Sequence, residues 1–345
     1  MRNNNQNRSL QQAVRLMMQN SSYYFSRSFF QVYKNRTAVN IVNRLFENEK
    51  EMEPTLLALS LFPAIMWMLG AEDLDFLTSK IYLEDKSDGV ESLEKSKIMI
   101  MEILGCEPKI VMENRKKYFS VLHEFADYLL DRINAVAENP TNGRYYGALL
   151  KYFYMEKTPD FPVTSYTINL YLPDAIRQLH KIAGEKIAVY MNSILKEDEP
   201  IGNEELQYIY HNISLLIDEY SKIRWDAKNC DDKAVRLLAC SSEDEMLAIT
   251  ESDSRYSQAY IIVQYITLIH NAIERLRTFP QHNIYNVVSK TIQYRQTQYS
   301  DFEIALMLNI PLSRYRQSIR IGMAALSAEL FGLSCNVFLD MLTGC

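Results

Sequence analysis

Apolar residues recur at spacings of three and four from Tyr23 almost to the C-terminus, and no run alternates apolar with polar residues between hairpin signals. The first spacing stacks side chains on one face of a helix; the second would have lined one face of a strand. Ten glycines and ten prolines in 345 residues are also too few for the tight turns of an all-β chain. The expected fold class is all-α. Apolar-periodic segments cover 23–46, 53–70, 73–83, 91–105, 111–137 and 144–155. They continue at 164–172, 174–196, 203–224, 231–240, 243–249, 256–278, 283–294, 301–308 and 312–331.

Residues 1–20 are polar, with Asn3, Asn4, Asn5 and Gln6 on no apolar face, and read as a frayed arm. The acidic run Lys196–Asn203, broken by Pro200 and Gly202, reads as a boundary. Three parts are expected: a basic N-terminal helical arm at 1–50, and two helical units at 51–198 and 199–345.

The net charge of −6 is unevenly spread. Residues 1–50 carry eight Lys/Arg and two acids, and 281–322 carry five Lys/Arg and two acids. Residues 196–254 carry six Lys/Arg against fifteen acids. Local field, not whole-chain charge, decides what a face attracts.

Within Tyr299–Phe331, Ser300-Asp301-Phe302-Glu303 has the form of a capping box, in which the Ser hydroxyl and the Glu carboxylate satisfy each other's backbone amides. A short helix follows, with Ile304, Ala305 and Leu308 on one side. Pro311 disfavours helix at Ile310, so a turn interrupts the pattern before Leu312 or Ser313 opens a longer helix. On a wheel of 100° per residue, Tyr315, Ile319, Met323, Leu326 and Leu330 fall within about 80° of one another as a core stripe. Ser313, Arg316, Gln317 and Arg320 fall opposite. A short helix, a turn and a longer helix with Arg and Gln on its outer N-terminal face is a helix-turn-helix arrangement. Arg pairs bidentately with guanine, Gln with adenine, and cations with phosphates.

The first unit echoes the second. At an offset of 139 residues, Tyr146, Lys151, Thr158, Arg177, Gln178 and Ile182 fall on Tyr285, Lys290, Thr297, Arg316, Gln317 and Ile321. On the wheel, Ile176, Ala183, Ile187, Tyr190 and Ile194 line the core while Arg177, Gln178 and Lys181 point outward. The expectation is an internal duplication, with a degenerate helix-turn-helix whose turn contains Pro173 and where Asp174 opposes an approaching phosphate.

The C-terminal half resembles phage late-gene transcriptional regulators of the ArpU type, whose C-terminal part is similar to region four of sigma factors. The resemblance is carried by Ile261–Leu276, by Tyr285–Lys290, by Phe302-Glu303-Ile304-Ala305 with Leu308-Asn309-Ile310, and by Arg314-Tyr315-Arg316 through Ala325-Leu326. The resemblance implies a phage or mobile-element protein that binds double-stranded DNA sequence-specifically, contact with RNA polymerase, and no catalytic residues. The short Gly/Pro-containing acidic motif usual upstream in that family has no counterpart here, and the chain is about twice the usual length. Arg314, Arg316, Gln317 and Arg320 are expected in the major groove, with Ser313 beside them. Lys290, Arg295 and Ser300 are expected on backbone phosphates, and Arg177, Gln178 and Lys181 on a second half-site. The acidic 196–254 stretch is expected to face away from DNA, toward RNA polymerase or another protein. The rival reading is a helical adaptor or inhibitor that keeps the fold without binding DNA.

Other chemistry finds little footing. Glycine-rich nucleotide loops, HExxH and GxSxG are absent, so no enzyme and no cofactor are expected. Cys106, Cys230, Cys240, Cys335 and Cys345 include no CxxC pair, and the five histidines lack ligand spacing, so neither disulfides nor a metal is expected and a cytoplasmic location fits. No secretory signal is read at the N-terminus. The most apolar run, Leu56–Leu69, is shorter than the ~20 residues that span a bilayer and contains Pro63, so a buried helix and no membrane are expected. The aromatic and cationic residues Tyr23–Arg36 read as a core helix with snorkelling cations, Trp67 and Trp225 as core, and His180 as a satisfied structural histidine.

Overall fold

The computed structural model describes residues 49–70, 90–155, 157–195, 203–229, 235, 238, 243–253, 256–279, 283–295, 299–334 and 337. Its regular elements are helices, and the chain is all-α. They are α1 (Glu53–Leu69), α2 (Val90–Leu104), α3 (Pro108–Ala137), α4 (Gly143–Met155), α5 (Ser165–Ile194) and α6 (Asn203–Asn229). After them come α7 (Glu243–Ser252), α8 (Ser257–Arg275), α9 (Ile284–Arg295), α10 (Asp301–Met307) and α11 (Leu312–Phe331). The expected arm up to residue 48, the segment at 73–83 and most of 231–240 lie outside the described residues.

α1 is the most apolar run and is buried nearly all round, with Leu56, Leu57, Leu59, Leu61 and Ile65 excluded from water. It packs against α3, α4 and α5, while α2 lies against α6 and α8. No helix among the described residues is long and apolar enough to cross a membrane. The expected boundary at 198/199 does not separate two cores: one buried cluster runs from Met52 to Val337. Burial of this kind contributes about 1.5–3 kcal/mol per large side chain, so a shared core binds the halves together.

The turn expected around Pro173 does not form. α5 runs uninterrupted from Ser165 to Ile194 with Pro173 inside it. An interior proline costs about 3 kcal/mol. The stripe Ile168, Leu172, Ile176, Leu179, Ile187, Met191 and Ile194 continues in phase across it, all fully buried, and its burial outweighs that cost. The helix also starts firmly. The Thr167 amide donates to Thr164 Oγ1 at 3.2 Å, and the Thr164 amide donates to Thr167 Oγ1 at 2.9 Å. The first unit therefore has no helix-turn-helix at 164–195, which corrects the sequence expectation.

α11 is the strut on which the C-terminal half is built. From Ile321 to Leu330 every residue is buried, so the amphipathic face read from the sequence exists only in its N-terminal part. Glu329 lies inside this dry section, 1% exposed. Its Oε1 accepts from Arg115 of α3 and from Arg275 Nη1 of α8, the latter at 2.5 Å. Arg115 Nε donates to the Glu329 carbonyl at 2.9 Å, and Arg275 Nη2 donates to the Met68 carbonyl at 2.5 Å. Two guanidiniums and one carboxylate leave a surplus positive charge. The Met68 and Glu329 carbonyls that accept from them lie in the last turns of α1 and α11, whose negative dipole ends offset part of that charge. Phe119 stacks under both, 4.7 Å from Arg115 and 5.7 Å from Arg275. Just beyond α11, Gly332 takes φ +88, and a Cβ there would lie about 3.0 Å from the Tyr118 ring; the Leu333 amide donates to the Tyr118 hydroxyl at 2.9 Å.

Candidate nucleic-acid interface

α9, α10 and the first half of α11 form a small unit around Val287, Ile304, Ala305 and Tyr315, closed by Leu308, Ile310 and Leu312. Local sequence sets each boundary. The Glu303 amide donates to Ser300 Oγ at 3.4 Å, and the Ser300 amide donates to Glu303 Oε2 at 2.8 Å, which is the expected capping box. The Ser300 hydroxyl and amide hold the Glu303 carboxyl below its ordinary range. α10 ends in a Schellman motif. The Ile310 amide donates to the Ala305 carbonyl at 3.1 Å and the Asn309 amide to the Leu306 carbonyl at 3.0 Å. Asn309 supplies the left-handed residue at φ 53, and Pro311 follows it as the N-cap of α11. No acidic residue and no side-chain cap occupy the first turn of α11.

A polar thread fixes the crossing of the three helices. The Tyr315 hydroxyl, fully buried on α11, meets Thr291 Oγ1 of α9 at 3.0 Å and donates to Asp301 Oδ1 of α10 at 3.4 Å. Burial pushes its phenol up from the ordinary value. Gly322 sets the approach of α11 to α9: a Cβ there would lie 2.4 Å from Val288 Cγ2.

The outer face of α11 carries the expected ridge. Ser313, Arg314, Arg316 and Arg320 are exposed and Gln317 is half-buried. Arg314 and Arg316 have no carboxylate within ion-pair distance among the described residues. Lys290 is exposed on α9 and donates to Gln293 Oε1 at 2.9 Å.

Three other expectations meet carboxylates. Ser300 has both donors turned onto Glu303, so the N-terminus of α10 presents negative charge where a phosphate was expected. Arg295 donates to Asp218 Oδ1 at 2.7 Å and lies 3.8 Å from Asp301 Oδ1. Asp218 belongs to the acidic stretch expected to face away, yet α6 packs against α9 and α11. Arg177 is held between Glu49 and Asp174, with Nε 2.8 Å from Glu49 Oε1 and Nη1 3.1 Å from Asp174 Oδ1. Its hydrogen bond holds the Glu49 carboxyl below the ordinary range. Lys181 is exposed and Gln178 half-buried, but no turn precedes them.

The proposed equivalence between the halves is uneven. Arg177 and Lys181 share the exposure of Arg316 and Arg320, and α4 falls in register with α9. Ile182, however, is 42% exposed where its counterpart Ile321 is buried at 1%.

Two features had no mark in the sequence reading. One is the buried Glu329 and its two guanidiniums. The other is an apolar patch on the outer face of α10, where Phe302, Leu306 and Met307 are 62%, 70% and 45% exposed beside Tyr299. Their spacing of four and five was legible as a second helix face. His180 is the satisfied histidine expected, with Nδ1 3.0 Å from Thr55 Oγ1. No group of three or more metal-ligating side chains occurs among the described residues. The chain matches no family model, no curated protein and no solved structure.

Proposed function

We propose that this protein is a sequence-specific DNA-binding transcriptional regulator, of the kind encoded by phages and other mobile elements. It reads a major groove with the N-terminal half of α11. Arg314, Arg316, Gln317 and Arg320 contact base edges and phosphates, and Lys290 contacts the backbone. One observation carries the reading: an exposed cationic ridge, with Arg314 and Arg316 clear of carboxylates among the described residues, on a helix entered through a Schellman turn from a capped short helix. The open N-terminus of α11 adds donors and a positive dipole end to that ridge. Without a second turn at Pro173, Arg177, Gln178 and Lys181 are left out of the reading site, and one chain offers one half-site.

Selection from random duplexes, followed by anisotropy titration of the winner, tests the proposal. Arg316→Ala with Arg320→Ala should weaken binding and lower the slope of log K against log salt by about one per lost phosphate contact. Unchanged affinity and slope in the folded double variant refute it. The α10 patch of Phe302, Leu306 and Met307 favours a second reading, an adaptor that binds a protein there. Under that reading no duplex is enriched, and Leu306→Asp abolishes capture of the partner.

A further inference from the structure

Arg295 ends α9 in a position shared by the body of the protein and the candidate DNA-binding unit. Its Nη1 donates to Asp218 Oδ1 of α6 at 2.7 Å, and its Nη2 lies 3.8 Å from Asp301 Oδ1 of α10. The Tyr315 hydroxyl of α11 donates to the same Asp301 oxygen. The pair is open to water: the Arg295 side chain is 30% exposed and that of Asp218 45%. An ion pair so exposed adds little to stability, so exchanging its anion costs little. A carboxylate and a phosphodiester offer a guanidinium similar oxygen acceptors. Asp301 keeps its own hydrogen bond from Tyr315 when Arg295 turns, so α10 and α11 stay joined.

We infer that Asp218 is an internal stand-in for a backbone phosphate: it holds Arg295 in the free protein, and a phosphate of bound duplex takes its place. The inference rests on the DNA-binding reading above. It gives the acidic helix α6 a regulatory part, since every duplex must displace Asp218 before Arg295 contributes. Weakly held duplexes that do not reach Arg295 gain nothing from it, which sharpens discrimination between sites.

The test uses the full chain and the fluorescein-labelled duplex enriched by selection, titrated by anisotropy over a series of salt concentrations, with circular dichroism as the folding control. Arg295→Gln should weaken binding and lower the salt slope by about one. Asp218→Asn should tighten binding roughly three- to tenfold and leave the slope near its wild-type value, because Arg295 meets the same phosphate without a competing carboxylate. In the Arg295→Gln background, Asp218→Asn should change neither quantity. If Asp218→Asn tightens binding equally in that background, Asp218 merely repels the duplex and the inference falls. If Asp218→Asn has no effect while Arg316→Ala still weakens binding, the inference falls and the DNA-binding reading stands. A folded wild-type chain that binds no duplex overturns both.

Discussion

Replacing Glu329 by Gln keeps the volume of a side chain wedged between two guanidiniums and removes its charge. Arg115 has an outlet, since its side chain is 27% exposed and its Nε keeps the Glu329 carbonyl. Arg275, at 7%, keeps the Met68 carbonyl but has little access to water once its carboxylate partner is neutral. One ion pair at 4 Å in an effective dielectric of 20 is worth about 4 kcal/mol. Breaking a buried pair by removing one partner costs about 3–5 kcal/mol. We therefore expect Glu329→Gln to lower the unfolding free energy by about 3–5 kcal/mol. Arg115→Gln should cost about 1 kcal/mol, as for a pair that water reaches. Arg275→Met with Glu329→Met should fall within about 1–2 kcal/mol of wild type, because no buried charge is then stranded. Urea unfolding followed by far-ultraviolet circular dichroism measures all three, at two salt concentrations to separate buried from screened terms. Burial holds the Glu329 carboxyl above its ordinary range despite the pull of the two guanidiniums. A Glu329→Gln cost below about 1 kcal/mol would mean that this rise leaves the group neutral in the folded state and that no buried ion pair is there to break.

Gly322→Ala should destabilise by about 1–3 kcal/mol through its collision with Val288, despite better helix propensity. In a Val288→Ala background the same change should become stabilising, as thermal melts will show. Asn309→Ala should cost about 1–2 kcal/mol at its left-handed φ of 53, whereas Asn309→Gly should be neutral, both read by amide exchange in α10. Burial lowers the His270 pKa below the ordinary 6.5, so the unfolded chain binds the proton first as pH falls. Stability should be fullest above about pH 6.5 and decline below it, and His270→Gln should flatten that decline in melts across pH 5–8.

The C-terminal pair of helices was legible because its boundaries are written locally. Ser300 and Glu303 lie three apart, Pro311 disfavours helix at Ile310, and each acts within a turn of its own position. Pro173 carries the same local signal as Pro311 and means the opposite. What differs is that the buried stripe continues in phase beyond it, from Leu172 to Ile176 and Leu179. Around Pro311, Asn309 and Ile310 close a C-cap first. The all-round burial of 321–330 was hidden by its composition: Gly322, Ala324, Ala325, Ser327 and Ala328 are small and carry little hydropathy of their own. Glu329 left no mark in the sequence because its partners, Arg115 and Arg275, lie on distant helices. The ion pairs of Arg295 and Arg177 were missed in the same way, because no periodicity connects Asp218 and Glu49 to them.

α11 has no hinge between the ridge it shows to solvent and the section sealed among the other helices. A ridge carried on a tether can swivel to suit whatever it meets; this one is the exposed end of a beam set in masonry. Its aim is fixed when the whole chain folds, so any mismatch in angle must be taken up by whatever lies against it.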